Sequence, residues 1–216
     1  MEEVEDLNYW KNRPLDDVRR DWYYNTDNWI TDYRASVVHP HRKLTINALE
    51  ELAPFESLLE GGCNCGPNLY LIKERFPGVK LAGIDVNEKA IEEAHRLLPD
   101  ADIKIGDIED KLPFEDKSFD IVLVDAVLMY VGPEKIKGVM SELDRVAKRG
   151  IILIEWDSES LLGEVKEHHW ARDYKSFLEE FGFRVKKIKI PAEAWPNRSG
   201  NWAKLGYLFS ARRGNV

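Results

Sequence analysis

The hydrophobic positions of this chain follow two different periods. Short, continuous apolar runs predict buried strands, and they lie at residues 57–61, 81–86, 101–106, 121–128 and 150–156. Between most of these runs, apolar residues recur at every third or fourth position, which predicts amphipathic helices. Strands that alternate with helices and are apolar throughout indicate a parallel sheet with both faces covered.

The end of the chain has a different pattern. Residues 170–181 predict one more helix, and residues 183–190 and 202–211 predict two closing strands. No helical pattern separates these two strands, so we expect them to be antiparallel. The predicted fold class is therefore α/β, with a doubly wound, seven-stranded and mostly parallel sheet whose last strand is antiparallel.

The N-terminal segment is unusually rich in aromatic residues. Residues 1–34 contain, among many charges, Tyr9, Trp10, Trp22, Tyr23, Tyr24, Trp29 and Tyr33. This pattern suits a helical arm that docks its rings on the domain, and it also suits a lid that covers a ligand pocket. We expect residues 1–54 to form this N-terminal helical arm or lid and residues 55–216 to form a Rossmann-like domain.

A second helical pattern, at residues 36–53, ends before a proline. Near its start lie four basic side chains, Arg34, His39, His41 and Arg42. They have the chemistry to bind a carboxylate, although such residues are more often solvated or cap a helix.

Composition narrows the classes of function. The 216-residue chain is 44% hydrophobic and 32% charged, as in one globular domain. Its net charge of −8 argues against a broad nucleic-acid face, because such faces need clustered Lys and Arg. No apolar run approaches the roughly 20 residues of a membrane helix, and the acidic N-terminus is unlike a signal peptide. We expect a cytoplasmic monomer or homodimer that acts on a small molecule, without nucleic-acid or membrane partners.

The apolar run at residues 57–61 leads into a turn of small residues. Gly62, Asn64 and Gly66 alternate there, and a helical pattern begins at Pro67. Such a turn lets backbone N–H groups approach a ligand beside a helix N-terminus, which carries a positive partial charge. Alone, however, a glycine-rich turn is as often purely structural, and this one lacks a regular G-x-G-x-x-G spacing.

Acidic residues lie at the ends of four predicted strands. They are Glu60, Asp85, Asp107 and Asp125. Because the carboxyl ends of parallel strands meet at one edge of a sheet, we expect these side chains to converge on one crevice. A carboxylate at Asp85 can accept hydrogen bonds from both hydroxyls of a ribose, and Asp107 is placed to accept one from an adenine amine.

Two cysteines, Cys63 and Cys65, lie inside the glycine turn. Zinc sites usually use four ligands and C-x₂₋₄-C spacing, and the chain has no second cysteine pair. A disulfide between residues two apart would strain the backbone. We therefore expect no metal site, and two small side chains that line the turn.

Over about residues 55–213 the chain resembles the class I S-adenosylmethionine-dependent methyltransferases. In that family an acid and a G-x-G-x-G turn follow the first strand, and here the turn reads LLEGGCNCGPN, with Asn64 in place of the middle glycine. Asparagine tolerates a positive φ better than other non-glycine residues. The segment SFDIVLVDAVLMYV and the closing antiparallel pair also resemble the fourth strand and the end of that family.

The resemblance implies that S-adenosyl-L-methionine is the cofactor. It places the turn near the methionine part, Asp85 at the ribose and Asp107 at the adenine. The cofactor-binding residues that it implies are Glu60, Gly62, Asn64, Gly66, Asn68, Asp85, Val86, Asp107, Ile108 and Asp125.

The reaction implied by the resemblance is in-line displacement of a methyl group from a sulfonium onto an O or N nucleophile of a small molecule. Alignment and water exclusion are then the main contributions of the protein. A general base is needed only if the nucleophile must lose a proton. Tyr130, which stands where many relatives have His, and His168 are candidates, as are His169 and Glu155; the sequence assigns no catalytic residue.

Two alternative functions remain open. An NAD(P)-dependent oxidoreductase shares the first two strand ends, but it usually has a regular G-x-G-x-x-G and a larger substrate region. A non-catalytic regulatory partner with the same fold is the second alternative. The acids at Asp85 and Asp107 argue against it, because a site without a ligand has no need of them.

Overall fold

The computed structural model describes residues 7–14, 28–158, 163–166, 168–195 and 200–214, so Trp22, Tyr23 and Tyr24 lie outside the described residues. The helices, in chain order, are α1 (Leu7–Asn12), α2 (Trp29–Ala35), α3 (Pro40–Leu52), α4 (Pro67–Arg75), α5 (Glu88–Leu97), α6 (Ile136–Val146), α7 (Tyr174–Glu180) and α8 (Asn201–Leu205). The strands are β1 (Ser57–Gly61), β2 (Lys80–Asp85), β3 (Asp102–Ile105), β4 (Phe119–Asp125), β5 (Ala147–Trp156), β6 (Gly163–Lys166), β7 (His169–Ala171), β8 (Phe183–Lys189) and β9 (Gly206–Arg213).

Seven strands form one sheet in the order β3-β2-β1-β4-β5-β9-β8. The first five strands along the chain pair in parallel, and β9 is antiparallel to both of its neighbours. The predicted fold class is confirmed, including the antiparallel last strand. The strand order reverses between β1 and β4, which opens a crevice at the carboxyl ends of these two strands.

Helices cover both faces of the sheet. Apolar side chains of α6 and α7 pack on one face, and those of α3, α4 and α5 pack on the other. Successive residues of one strand alternate between these two layers, as Leu58 and Leu59 do on β1. Strands that are buried on both sides explain the continuous apolar runs in the sequence.

Helix α3 is part of the core of the domain. Its residues Ala48, Leu49 and Leu52 are buried in the same layer as α4 and α5, and the helix packs against β5 and β9. The first turn of α3 points to the carboxyl ends of the strands, where its side chains reach β4. The predicted boundary at residue 54 therefore separates two parts of the sequence that share one packed core.

Two predictions for the C-terminal third were wrong, and one hairpin was not predicted. Residues 202–205 belong to α8 although a strand was predicted there, and residues 170–171 belong to β7 although a helix was predicted there. The hairpin that was not predicted is β6–β7. Tertiary packing outweighs local pattern here, because the ring of Trp202 packs against Trp156 and Trp195. The closing strands are nevertheless antiparallel, as expected. Of the helices in the described ranges, none is both long and apolar enough to cross a membrane.

Candidate functional site

A cleft lies at the carboxyl ends of β1, β2, β3 and β4. One wall, called here the glycine-turn side, includes Gly62, Asn64, Asp85, Val86 and Ile108. The opposite wall, the aromatic side, includes Trp10, Tyr33, Tyr130, Trp195 and Trp202. The predicted convergence of strand ends therefore produces a cleft, but only some of the predicted acids face it.

The turn after β1 is held tightly by its own hydrogen bonds. The N–H groups of Gly62 and Cys63 both donate to the carbonyl of Ile84, at 2.8 and 2.9 Å. Asn64 N–H donates to Asp85 Oδ2 at 2.8 Å, and the N–H groups of the next two residues donate to acceptors within the turn. Five consecutive N–H groups are therefore satisfied by the protein. These five groups are not free to bind a ligand, which differs from the N–H cradle that the sequence suggested.

Backbone conformation explains the small residues of this turn. Gly62, Asn64 and Gly66 have φ values of 71°, 50° and 81°, which glycine adopts freely and asparagine tolerates. A Cβ on Gly62 would also lie 2.3 Å from a methyl carbon of Val127. Position 62 therefore requires glycine for two independent reasons.

Both cysteines of the turn are buried and free. Cys63 packs so closely on β2 that a Cβ on Gly83 would lie 2.7 Å from its Sγ, and Cys65 Sγ contacts the carbonyl of Ile30 at 3.8 Å. Burial raises the pKa of both thiols, that of Cys65 to about 12. Within the described ranges, no group of three or more His, Cys, Asp or Glu side chains is arranged so that it could hold a metal ion.

Asp85 lines the cleft at the end of β2. Its Oδ2 accepts the N–H of Asn64, and its Oδ1 accepts the N–H of Asn87 at 2.9 Å. Burial raises the pKa of this carboxyl, although the backbone N–H groups that donate to it lower the pKa in part. Each oxygen accepts one backbone bond and keeps a second lone pair, so the carboxylate can accept two further hydrogen bonds from the cleft.

Asp107 is turned toward its own loop. Its Oδ1 accepts the N–H of Glu109 at 2.8 Å, while its neighbours Gly106, Ile108 and Glu109 line the cleft. The contact of Asp107 with an adenine stays a prediction, and Ile108 is better placed to touch a ligand.

A buried polar cluster joins α3 to the ends of β1 and β4. It consists of His41, Arg42, Glu60, Asn68 and Asp125. Asp125 Oδ2 is 3.0 Å from His41 Nε2 and accepts hydrogen bonds from Arg42 Nη1 at 3.3 Å and Asn68 Nδ2 at 2.9 Å. Asn68 also donates to Glu60 Oε1 at 2.7 Å and accepts from Arg42 Nη1 at 2.6 Å. Three predicted cofactor contacts, Glu60, Asn68 and Asp125, are thus tied into the protein itself.

Burial and neighbouring charge act in opposite directions within this cluster. Burial raises the pKa of Asp125, but His41, Arg42 and Asn68 together hold it well below its usual range. Burial raises the pKa of Glu60 to about 8, and its Oε2 has no hydrogen-bond partner. Asp125 is therefore ionised at neutral pH, whereas most of Glu60 is protonated.

His39 caps α3 and borders the cleft. Its Nδ1 accepts the N–H of His41 at 3.4 Å and lies 2.5 Å from His41 Nδ1. Burial, followed by the charges of His41 and Arg42, lowers the pKa of His39 to about 3, so its ring is neutral at physiological pH. Of the four basic side chains with the chemistry to bind a carboxylate, His41 and Arg42 bind that of Asp125 and Arg34 lies 3.5 Å from that of Glu93, whereas His39 caps α3.

Rings from several segments form a continuous aromatic belt. Its members are Trp10, Tyr130, His169, Trp156, Trp202 and Trp195, and each contacts the next with ring centroids 4.8–5.8 Å apart. Trp195 also stacks on His41. The belt therefore connects α1 to α3 around the cleft. Sequence analysis missed Trp195 and Trp202, although two tryptophans in one short loop were a signal.

The loop after β4 is held by two buried charged residues. Glu155 accepts the N–H groups of Val127, Leu128 and Met129 at 2.8, 2.8 and 3.1 Å. Arg172 donates to the carbonyls of Leu128 and Val131. Burial raises the pKa of Glu155 to about 8, although these N–H donors act in the opposite direction and lower it in part. Glu155 therefore acts on the backbone of the loop, and its carboxylate oxygens are occupied.

The other three candidate bases occupy different places. Tyr130 lines the cleft and contacts the rings of Trp10 and His169. His168 lies in the turn between β6 and β7, where it contacts Trp170, and it is not part of the cleft wall. His169 lies on β7, where it contacts Tyr130 and Trp156, and it is also outside the cleft wall. Of these three, only Tyr130 is placed to meet a ligand.

Helix α1 lies over the cleft. The carbonyl of Trp10 accepts a hydrogen bond from Asn87 Nδ2 at 2.8 Å, two residues beyond Asp85. The guanidinium of Arg13 lies over the rings of Tyr9, Trp10 and Trp29. These contacts hold Trp10 against Asn87 and Tyr130.

Comparison with known proteins relates this geometry to a family. A family model described as a methyltransferase domain matches residues 59–154. The chain is 28% identical over 175 residues to a malonyl-[acyl-carrier protein] O-methyltransferase of Herminiimonas arsenicoxydans, covering 74% of this chain and 63% of that protein. A trans-aconitate 2-methyltransferase of Delftia acidovorans is 24% identical, covering 68% of this chain and 54% of that protein. The chain thus spans less than two thirds of these curated relatives.

Solved structures share the fold over a longer stretch. The magnesium protoporphyrin IX methyltransferase of Synechocystis PCC 6803 with bound S-adenosylmethionine superposes with a TM-score of 0.68. The superposition covers 99% of this chain and 100% of that one at 15% identity. The same protein with bound S-adenosylhomocysteine also gives a TM-score of 0.68, at 17% identity. At such identities the similarity concerns the fold.

Proposed function

We propose that the chain is a class I S-adenosylmethionine-dependent methyltransferase and that it transfers a methyl group from this cofactor to an O or N atom of a small molecule. The observation that carries the proposal is the cleft at the strand ends, where Asp85 and the turn after β1 face the aromatic side. Residues 55–216 would form the catalytic domain, and residues 1–54 an arm that completes the cleft.

The glycine-turn side fits the cofactor. Asp85 keeps two lone pairs for ribose hydroxyls, and the apolar side chains of Val86 and Ile108 flank the place of a flat base. The ammonium of the methionine part would need hydrogen-bond acceptors, and carbonyls of the turn would supply them through their second lone pairs. Glu60 Oε2, buried and without a partner, would accept a further donor once ionised.

The chemistry needs little covalent help from the protein. The bound cofactor supplies a sulfonium-activated methyl group: the acceptor's lone pair forms the new bond as the carbon–sulfur bond breaks, and that bond's electron pair stays on sulfur. The chain's residues orient the acceptor and exclude water, which Trp10 and Tyr130 are placed to do. If the acceptor must lose a proton, Tyr130 is the candidate base nearest the cleft.

The names of related proteins support the reaction type in this proposal, which is methyl transfer. The malonyl-[acyl-carrier protein] O-methyltransferase and the trans-aconitate 2-methyltransferase are both methyltransferases that align with most of this chain. Their acceptors differ from each other, so they favour the reaction type and leave the acceptor open.

Calorimetry with S-adenosylmethionine, S-adenosylhomocysteine and NADH tests the proposal. We expect both sulfur compounds to bind and NADH not to bind. Binding of NADH alone would contradict the proposal in favour of an oxidoreductase. A labelled-methyl screen over metabolite pools, with peptide and RNA controls, then tests transfer. Tight binding of both sulfur compounds without transfer to any acceptor would favour a regulatory partner.

A further inference from the structure

We propose that the aromatic side of the cleft binds a planar aromatic acceptor that carries no free carboxylate. This inference rests on the proposed methyl transfer and names the chemical class of its acceptor. Three features of the described residues lead to it: the extent of the ring wall, the pairing of the nearby cations, and the apolar character of the adjoining loop.

The rings of the wall contact one another in both stacked and edge-on arrangements. Trp195 and Trp202 are stacked with centroids 4.8 Å apart, whereas Trp10 meets Tyr130 edge-on at 5.3 Å. An aromatic ligand gains from either arrangement, since offset-stacked and edge-to-face pairs are both favourable. An ammonium group gains only over a ring face. A wall of mixed orientation therefore suits a ring better than it suits a cation.

Cations at the cleft are already paired with the protein. Among the described residues that line it, Arg42 is the only lysine or arginine. Its Nε donates to the carbonyl of Ser36, its Nη2 to Ser36 Oγ and its Nη1 to Asn68 and Asp125. His41 Nε2 is likewise at hydrogen-bond distance from Asp125. A carboxylate acceptor would have to compete with Asp125 for these groups, and breaking a buried pair is costly.

The loop after β4 extends the apolar wall. Val127 and Val131 line the cleft beside Tyr130, and Glu155 and Arg172 fix the backbone that carries them. The loop therefore offers a rigid apolar surface between the aromatic side and the glycine-turn side. A flat ring placed there contacts aromatic and aliphatic side chains at once, which is typical of small-molecule pockets.

Binding of matched probes in the presence of saturating S-adenosylhomocysteine tests the proposal. The probes are hydroquinone, 1-naphthol and indole as neutral rings, trans-aconitate as a carboxylate and choline as a cation, each measured by calorimetry. We expect at least one neutral ring to bind at least tenfold more tightly than trans-aconitate and choline. The proposal would be overturned if trans-aconitate or choline bound more tightly than every neutral ring, or if none of the three rings bound.

Two variants locate the site, and one serves as a control. Trp202→Leu and Trp195→Leu should each weaken ring binding at least tenfold, while Trp170→Leu, a partly buried tryptophan outside the cleft wall, should leave it unchanged. Thermal melting checks that each variant folds, and unchanged affinity for S-adenosylhomocysteine separates the acceptor site from the cofactor site. Equal loss in the Trp170 variant would contradict the assignment.

Failure of the proposed function gives a different result. If S-adenosylhomocysteine does not bind, the methyltransferase proposal fails. Binding of the neutral rings to the protein without any cofactor would then still test whether the aromatic side binds planar rings. If S-adenosylhomocysteine binds and the rings do not, only the acceptor class is wrong.

Discussion

The two walls of the cleft are built in opposite ways. The glycine-turn side comes from the ends of neighbouring strands, and its hydrogen bonds join residues of β2 to the turn after β1, as from Asn64 to Asp85. The aromatic side and the polar cluster behind it join distant parts of the chain, such as α3 with β4. One wall depends on local backbone geometry, and the other depends on long-range pairing.

Because of this difference, substitutions in the two regions should have different effects on the protein. A change on the glycine-turn side should affect ligand binding first, because the sheet holds that wall in place. A change in the polar cluster should affect folding first, because the side chains of Arg42 and Asp125 are both buried and the remaining one would lose a charged partner. The predictions below test this division.

The largest expected effect is on stability, from Arg42→Met. Methionine keeps much of the volume but leaves Asp125 and Asn68 without the guanidinium. Loss of one member of a buried ion pair typically costs about 3–5 kcal/mol, so the free energy of unfolding from urea denaturation should fall by this amount.

Lys73→Met is the matched control. Lys73 pairs with Asp100 on the surface, at 3.0 Å, and such pairs are worth at most about 1 kcal/mol. A loss in the Arg42 variant no greater than in the Lys73 variant would mean that the cluster does not hold α3 against β4.

The next effect is on cofactor affinity, from Asp85→Ala. Removing the carboxylate leaves ribose hydroxyls unpaired and also frees the N–H groups of Asn64 and Asn87. An unmade buried hydrogen bond costs about 1–3 kcal/mol, so calorimetry should show a weaker S-adenosylhomocysteine complex by this amount. Asp107→Ala should weaken it less, because Asp107 is turned toward its own loop. The reverse order would assign the main contact to Asp107.

A third effect, spread over several pH units, is on the pH dependence of stability, from Glu60→Gln. The folded-state pKa of Glu60, about 8, lies above its ordinary value of 4.5. Between these values the folded protein holds a proton that the unfolded chain has released. The stabilisation is therefore complete below pH 4.5 and is lost as the pH rises toward 8, with a slope of at most about 1.4 kcal/mol per pH unit.

Urea denaturation at pH 5, 6, 7 and 8 measures this slope. Over this pH range the Glu60→Gln variant should lose less stability than the native chain. Both proteins should still lose some stability as the pH rises, because the pKa of Glu155 is also raised to about 8. An unchanged slope in the Glu60 variant would show that Glu60 is ionised in the folded protein.

Several features of the site followed from the sequence alone. The positions of β1, β2 and β4, the turn of small residues and the placement of Asp85 were all predicted, because each depends on local periodicity or on which residues tolerate a positive φ. The partners of Asp125 were not identified, since His41 and Arg42 lie more than eighty positions earlier in the chain. Nothing in local pattern connects such residues.

The sequence determined the fold class and the wall of the cleft that the sheet builds, because apolar period, glycine position and strand-end acids are properties of short segments. Tertiary structure alone decided what those acids do. In the folded protein Asp85 lines the cleft, Asp125 is hydrogen-bonded to side chains of α3, and Asp107 is turned toward its own loop. The aromatic belt is likewise assembled from separate segments. The physical reason is that hydrogen-bond partners and ring contacts depend on distance in space, which periodicity along the chain does not encode.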